Sequence, residues 1–288
     1  MAVAELAPST TVAVAGFGFR HDLRAVRVVW QREMIRFSRD RLRVITSLIQ
    51  PVLFLFVLGS GLSTLTSGTI GHLNLKTFMF PGALSMAVLF TALFSAASIV
   101  WDREFGFLRE MLVAPISRWS IVVGKCLGGA TTASLQGVLI LLMAGLVGVP
   151  YSFSLFMTVL GELVLLALTL TAFGVMTAAR IQQFQAYMAL NQMLLMPLFF
   201  LSGALFPLHG LPTWLHVLTR IDPITYAVDP VRRAVFAHLN VPASTQHLLN
   251  PGVTWGSWRV PTAVELLIVA AMGLVMLLIA VWEFRKAD

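Results

Sequence analysis

Long apolar runs, separated by short charged or proline-containing segments, dominate this 288-residue chain. A membrane-spanning helix needs about 20 consecutive, mostly apolar residues. Six runs meet that length, at residues 44–65, 79–100, 119–147, 155–176, 184–206 and 262–282. The first run is the weakest, because Gln50-Pro51 and Gly59-Ser60-Gly61 interrupt it. The pattern predicts an all-α integral membrane protein with six transmembrane helices in one domain at residues 44–283.

The segments that flank this domain differ in character. Residues 20–43 hold eight arginines and no lysine, and their apolar side chains recur every three to four residues. This pattern predicts an amphipathic helix at the membrane surface, with arginines reaching the headgroups. The alternative is a plain basic flank. Residues 1–19 lack the features of a signal peptide and are expected to form a disordered tail. Residues 284–288 are expected to form a short cytoplasmic C-terminus.

Composition supports the membrane assignment. The chain is 58% hydrophobic and only 11% charged, whereas soluble domains carry about 25% charged residues. Its net charge of +7 is therefore better explained by anionic lipid than by nucleic acid. With the N-terminus inside, the inner segments hold 15 Lys and Arg residues and the outer segments 5. This bias predicts a multi-pass protein of the plasma or inner membrane with both termini cytoplasmic.

The segment at residues 101–124 has the densest charge between two apolar runs. Five charged residues lie within nine positions: Asp102, Arg103, Glu104, Arg109 and Glu110. Four apolar residues recur at helical spacing: Phe105, Leu108, Met111 and Leu112. Pro115 then ends the helix. The pattern predicts a short amphipathic helix at residues 102–118 that docks to a partner, although a solvated loop has the same composition.

Two separated series of motifs resemble those of type-2 ABC-transporter permeases, the class of drug, lipo-oligosaccharide and polysaccharide exporters. The first series reads Asp102-Arg103-Glu104-Phe105-Gly106, Arg109-Glu110-Met111-Leu112, Ala114-Pro115-Ile116-Ser117 and Gly124-Lys125. The second reads Leu201-Ser202-Gly203-Ala204-Leu205-Phe206-Pro207, Leu211-Pro212-Thr213-Trp214-Leu215 and Asp222-Pro223-Ile224-Thr225-Tyr226. Asp222 stands where asparagine is common in that class. The resemblance covers nearly all of the chain after Arg20.

The resemblance implies a division of labour between subunits. The segment at 102–118 would be the coupling helix, which docks into a separate ATPase present in two copies. That partner would bind ATP and Mg²⁺, while this chain would hold no cofactor, metal or catalytic residue and would pair with a second copy of itself. The residues implied at the ATPase interface are Asp102, Arg103, Glu104, Phe105, Gly106, Leu108, Arg109, Glu110, Pro115 and Arg118.

The resemblance also implies a substrate path along the second and fifth spans. The candidates on this path are Thr91, Phe94, Asn191 and Phe199. Two other polar residues within spans, Gln136 and Glu162, are better explained by hydrogen bonding between helices. The outer segment at residues 207–261 contains apolar stretches too short to cross a bilayer, which predicts re-entrant helices in the outer leaflet.

Other functions lack the residues they need. The chain has no G-x-x-x-x-G-K-[ST] phosphate loop and no H-E-x-x-H motif. A proton-driven secondary transporter would usually show an internal repeat and several buried acids, and a lipid-acting enzyme would need a convergent set of His, Asp or Ser. The expectation is export of a hydrophobic or amphipathic drug-like or lipid-like substrate. Export of a lipid-linked saccharide by the same mechanism is the alternative.

Overall fold

The computed structural model describes residues 18–61, 75–108, 111, 116–205, 212–239, 252–255 and 258–286, which are almost entirely helical. A π-helical turn, Phe54–Leu58, extends the second helix, and two short antiparallel strands pair near the C-terminal helix. The elements are α1 (Phe19–Arg39), α2 (Arg41–Leu53), α3 (Leu75–Glu104), α4 (Arg118–Leu141), α5 (Phe153–Arg180), α6 (Phe184–Leu201), α7 (Thr213–Ile221), α8 (Thr225–Ala237), β1 (Thr254–Trp255), β2 (Trp258–Arg259) and α9 (Thr262–Lys286).

Five stretches within the described residues are long and apolar enough to span a membrane. They are Arg41–Gly61, Leu75–Glu104, Phe153–Arg180, Phe184–Leu201 and Thr262–Lys286. Each coincides with one of the predicted runs, although several helices extend beyond it. The all-helical class is therefore confirmed, together with five of the six candidate spans by length and composition.

The remaining predicted span, at residues 119–147, corresponds to α4 and a following 3-10 turn, Ala144–Val147. The 24 residues of α4 are enough to cross a bilayer, at about 1.5 Å of rise per residue. Glycine, serine, threonine and a lysine make α4 less apolar than the five candidates. α4 is packed against α1, α3 and α5, so its small residues contact neighbouring helices, as is usual for spans inside a bundle. That α4 is the sixth span stays a prediction.

The centre of the bundle is α3, whose spanning window is 83% buried by the surrounding helices. It packs against α4 and α5, and α9 packs against α5. By contrast, the windows of α2, α6 and α9 are 17% to 22% buried. These three helices therefore expose most of their apolar surface, as helices that face lipid or a second subunit do.

Two glycines on α4 allow α1 to approach it closely. Gly124 and Gly128 are four residues apart, so they lie on the same face of the helix. A methyl group on Gly124 would lie 2.7 Å from Cβ of Val29, and one on Gly128 would lie 2.6 Å from Cβ of Glu33. Spacing of small residues by four is the usual device for close helix contact in membranes.

We expect Gly128→Ala to weaken the contact between α1 and α4. The new methyl group must displace the Glu33 side chain, so the loss in unfolding free energy should be about 1–3 kcal/mol. Gly161→Ala on α5 is the matched control, because a methyl group there meets no atom within 4 Å. Unfolding of both variants in detergent, followed by tryptophan fluorescence, measures the difference. Equal stability of the two variants would contradict this packing.

The predicted amphipathic segment at residues 20–43 is divided between two helices. α1 ends at Arg39, and α2 starts at Arg41. The Asp40 carboxylate accepts a hydrogen bond of 3.1 Å from the backbone N–H of Arg43, which caps the start of α2. The chain therefore turns at Asp40, within the predicted segment. The interfacial location of α1 stays a prediction, and residues 1–17 of the predicted tail lie outside the described residues.

Within the outer segment at residues 207–261, α7 and α8 are the described helices. The 13 residues of α8 are too few to cross a bilayer, and most are buried in the bundle. Arg232 on α8 donates a hydrogen bond of 2.6 Å to the carbonyl of Gly203 and lies over the Phe78 ring. Trp214 is 66% exposed, whereas Tyr226 is buried. Both helices are short, and α8 carries Asp229, Arg232 and Arg233 beside its apolar residues. Their re-entrant position in the membrane stays a prediction.

Candidate functional site

The first residue of the charged segment, Asp102, is buried in an ion-pair cluster. The ammonium of Lys125 on α4 lies 2.5 Å from Asp102 Oδ2, 2.6 Å from Glu33 Oε1 and 3.1 Å from Ser98 Oγ. Asp102, Lys125 and Glu33 are each no more than 5% exposed. Asp102 therefore faces this chain's own helices and not an exposed surface.

Arg32 completes the cluster from the solvent side. Its guanidinium donates to Asp102 Oδ1 at 2.8 Å, and its side chain is 42% exposed. Two cations thus balance two carboxylates where α1, α3 and α4 meet. Buried ion pairs of this kind add little net stability but strongly disfavour arrangements that separate the partners. We name Arg32, Glu33, Asp102 and Lys125 the charge cluster.

Sequence reasoning missed three of the four members of the charge cluster as site residues. Lys125 was noted only as part of a motif, yet an ionisable residue within an apolar run signals a buried partner. Arg32 belongs to the arginines that the sequence predicts at the lipid headgroups, and the sequence gives Glu33 no role. Their pairing with residues some 70 to 92 positions away is a property of the fold that spacing does not reveal.

Arg103 and Glu104 hold the short connection between α5 and α6. Arg103 donates to the carbonyl oxygens of Ile181 at 2.7 Å and Ala178 at 3.3 Å, which are unpaired acceptors at the end of α5. The Glu104 carboxylate accepts a hydrogen bond of 2.8 Å from the backbone N–H of Phe184, at the start of α6. A cation at a helix C-terminus and an anion at a helix N-terminus are both favourable.

Arg118, at the start of α4, makes the equivalent contact with α9. It donates to the carbonyls of Arg285 at 3.0 Å and Phe284 at 3.3 Å. Next to it, Ser117 donates from its backbone N–H to the Asp22 carboxylate at 3.3 Å. Hydrogen bonds from Ser117, its side chain first, lower the pKa of the Asp22 carboxyl. The charged residues of this segment thus join the ends of α1, α3, α4, α5, α6 and α9.

The predicted helix at residues 102–118 is not continuous. Asp102, Arg103 and Glu104 belong to the last turn of α3. A turn follows at Phe105 and Gly106, whose φ of 85° is a left-handed conformation that suits glycine. Phe107, Leu108 and Met111 are helical again, whereas Arg109, Glu110 and Pro115 lie outside the described residues.

This break changes which apolar side chains can meet a partner. Phe105 and Phe107 are 56% and 50% exposed, and the Trp101 ring lies 4.5 Å from the Phe105 ring. Leu108 is only 5% exposed and packs in a core cluster with Val100 and Val122. Leu108, expected to share an exposed face with Phe105, is thus a core residue, because the turn separates the two. We name Phe105 and Phe107 the aromatic pair.

The four residues expected on a substrate path occupy two different environments. Asn191 is fully buried and donates to the carbonyl of Leu93 at 3.4 Å, which joins α6 to α3. Phe199 is also buried and packs edge to face against Phe54. Thr91 and Phe94 instead line a cavity of about 410 Å³, together with Gln192. The structure brings only Thr91 and Phe94 together at an open space.

The other polar residues within the spans differ in their bonding. Gln136 on α4 donates to Ser47 Oγ at 2.8 Å and to the carbonyl of Val44 at 3.2 Å, both on α2. This bond between helices confirms the structural interpretation of Gln136. Glu162 is 6% exposed, and its Oε2 atom has no hydrogen-bond partner among the described residues.

An all-helical bundle with several apolar spans and a charged, hydrogen-bonded end defines a multi-pass membrane protein. Residues 24–236 match the family model described as ABC-2 type transporter. Because this match covers most of the chain, the protein belongs to the ABC-2 type transporter family and is the membrane subunit of such a transporter. The sequence-based assignment to this class is confirmed.

Individual relatives agree with the family. The chain is 31% identical to the transport permease ycf38 of Cyanophora paradoxa over 71% of this chain and 72% of the relative. It is 27% identical to Nodulation protein J of Rhizobium leguminosarum bv. trifolii over 73% and 80% of the two chains. It is 25% identical to the inner membrane transport permease YadH of Escherichia coli K12 over 77% and 86%. These similarities indicate transport across a membrane and not catalysis.

Proposed function

We propose that two copies of this chain form an exporter with two copies of a separate ATPase, which moves a hydrophobic or amphipathic drug-like or lipid-like substrate out of the cytoplasm. The observation that carries the proposal is the exposed aromatic pair next to the charge cluster. Exposed aromatic side chains on a rigid support are typical of the residues that anchor a protein interface. The family implies an ABC ATPase as the partner.

The connections around the aromatic pair support a role in coupling. Asp102, Arg103 and Glu104 join α3 to four other helices, α1, α4, α5 and α6, through hydrogen bonds within three residues of Phe105. A displacement of the aromatic pair by the ATPase would therefore act on the ends of several helices together. ATP binding and hydrolysis, with Mg²⁺, would take place in the ATPase, and the ends of α3, α5 and α9 would receive the motion.

A homodimer would place the least covered helices at its centre. α2 and α6 expose most of their surfaces, and polar side chains such as Thr46, Gln50 and Gln192 lie on those surfaces. Polar groups facing lipid are costly, so burial against a second copy explains them better. The proposed path for substrate would then run between the two copies, past Thr91 and Phe94.

Transport by the assembled complex tests the proposal. We expect the tagged chain to co-purify with a P-loop ATPase in a one-to-one ratio. In inside-out vesicles, the complex should take up amphipathic dyes when ATP is added. Vanadate should abolish uptake, whereas a protonophore should leave it intact. Uptake that depends on a proton gradient and needs no ATPase would reject the proposal. Uptake only of lipid-linked saccharides would assign the alternative substrate class.

The orientation of the chain gives a separate prediction. The bias of 15 basic residues to 5 should place both termini and Gly106 in the cytoplasm. On a Cys126→Ser background, a cysteine at Gly106 should react with an impermeant maleimide only after the cells are opened. A cysteine at Tyr151, which is 71% exposed at the opposite end, should react in intact cells. The reverse pattern would contradict the orientation.

A further inference from the structure

Two arginines border the cavity that contains Thr91 and Phe94. The cavity, of about 410 Å³, lies beside the junction of α1 and α2. A neighbouring cavity of about 300 Å³ shares Arg36, Arg43, Phe94 and Ser98 with it. Arg36, Arg43 and Phe94 therefore stand between two open spaces in the same part of the molecule.

Within the described part of the chain, the guanidinium groups of Arg36 and Arg43 are free to bind a ligand. Among the described residues, neither side chain makes an ion pair or a hydrogen bond. Both carboxylates on the cavity wall are otherwise engaged, because Glu33 is paired with Lys125 and Asp40 caps α2. Charge near the junction is thus dominated by unpaired arginines, which have the geometry to bind phosphate or carboxylate in a bidentate manner.

The other side of the cavity is apolar. Phe90 and Phe94 on α3 line it with ring centroids 6.2 Å apart, and Phe37 lines it from α1. Thr91 and Gln192 are among the polar side chains deeper along the spans. A ligand that fills this space would meet cationic groups at the α1–α2 junction and aromatic rings on α3.

We propose that this cavity binds an anionic amphiphile, whose phosphate or carboxylate head lies between Arg36 and Arg43 and whose apolar part packs against Phe90 and Phe94. The inference rests on the proposed function and specifies its substrate class. A neutral or cationic drug would leave both arginines unpaired, and a small soluble anion would leave the aromatic wall uncovered. An amphiphile with an anionic head satisfies both.

Binding of dodecyl phosphate to the full chain in phosphatidylcholine nanodiscs tests this directly. We expect saturable binding that weakens at least about tenfold in Arg36→Gln/Arg43→Gln, since charge-assisted hydrogen bonds to the head are lost. Arg24→Gln/Arg27→Gln is the matched control, because these exposed arginines lie on α1, as Arg36 does, and line neither cavity. Its affinity should stay within about twofold of wild type, since the charge removed lies outside both cavities.

Further binding measurements show which part of the ligand is recognised and whether the natural occupant is a membrane lipid. Dodecylphosphocholine, with the same tail and a zwitterionic head, should bind weakly and respond little to the arginine changes. Phe94→Ser should weaken binding of dodecyl phosphate but not binding of inorganic phosphate. This variant tests the inference by itself if Arg36→Gln/Arg43→Gln does not elute as folded protein. In nanodiscs with phosphatidylglycerol, an apparent affinity that falls more for wild type than for Arg36→Gln/Arg43→Gln would support the same chemistry and identify a membrane lipid as the occupant, because repulsion by the anionic surface weakens both proteins alike.

Two results would overturn the inference. Equal losses in the two arginine pairs would show only general attraction to a basic surface. Inorganic phosphate binding as tightly as dodecyl phosphate would show an anion site with no amphiphile. Because binding is measured without ATP or the ATPase, failure of export with intact binding would reject the proposed function alone, and the reverse result would reject this inference alone.

Discussion

Replacing Lys125 with methionine should destabilise the protein by about 3–5 kcal/mol, the usual cost of leaving buried charges without their partner. Methionine preserves the length of the side chain, so the loss reports the charge. Glu33 and Asp102 would remain buried with only Arg32 to compensate. Unfolding of the purified protein in mixed detergent and SDS, followed by tryptophan fluorescence, gives the difference in free energy.

Two further variants show whether burial is the cause. Arg32→Met removes a charge that is 42% exposed, so it should cost no more than about 1 kcal/mol. Combining Lys125→Met with Glu33→Gln and Asp102→Asn removes the unpaired carboxylates and should recover much of the stability. A Lys125→Met protein as stable as wild type would mean that the charge cluster does not hold α1, α3 and α4 together.

The sequence predicts where the helices lie along the chain better than it predicts which residues they contact. Length and apolarity are properties of a continuous stretch, so the spans at Leu75–Glu104 and Phe153–Arg180 could be found from local pattern. α4 could also be predicted as a helix, although many of its buried residues are small or polar. The break at Asp40 was missed, because the basic and apolar pattern continues across it while the backbone turns.

The candidate site could likewise be located from the sequence, whereas its contacts could not be predicted. The segment that starts at Asp102 could be singled out from its charge and its motifs. The roles of its members could not, because Asp102 pairs with Lys125, Arg103 with the end of α5, and Glu104 with the start of α6. The helical spacing of Phe105 and Leu108 predicts one shared face, which is wrong because Gly106 inserts a turn between the two residues.

The largest functional effect should follow from removing the aromatic pair. Phe105→Ser/Phe107→Ser should leave the bundle folded, since both rings are at least half exposed. Burying an aromatic ring at an interface contributes about 1.5–3 kcal/mol, so loss of both should weaken ATPase binding by about 100-fold or more. The ATPase should be lost during purification, and export should fall with it.

Two comparisons show whether the loss is specific to docking. Phe153→Ser removes a ring that is 80% exposed at the opposite end of the bundle, so it should retain the ATPase and export. Leu108→Glu should instead lower the amount of folded protein, because its side chain lies in the core cluster with Val122. If Phe105→Ser/Phe107→Ser still binds the ATPase and exports normally, the aromatic pair belongs to a solvated turn and does not dock to the ATPase. Motion would then have to reach α3 through Arg109 and Glu110, the charged residues that follow.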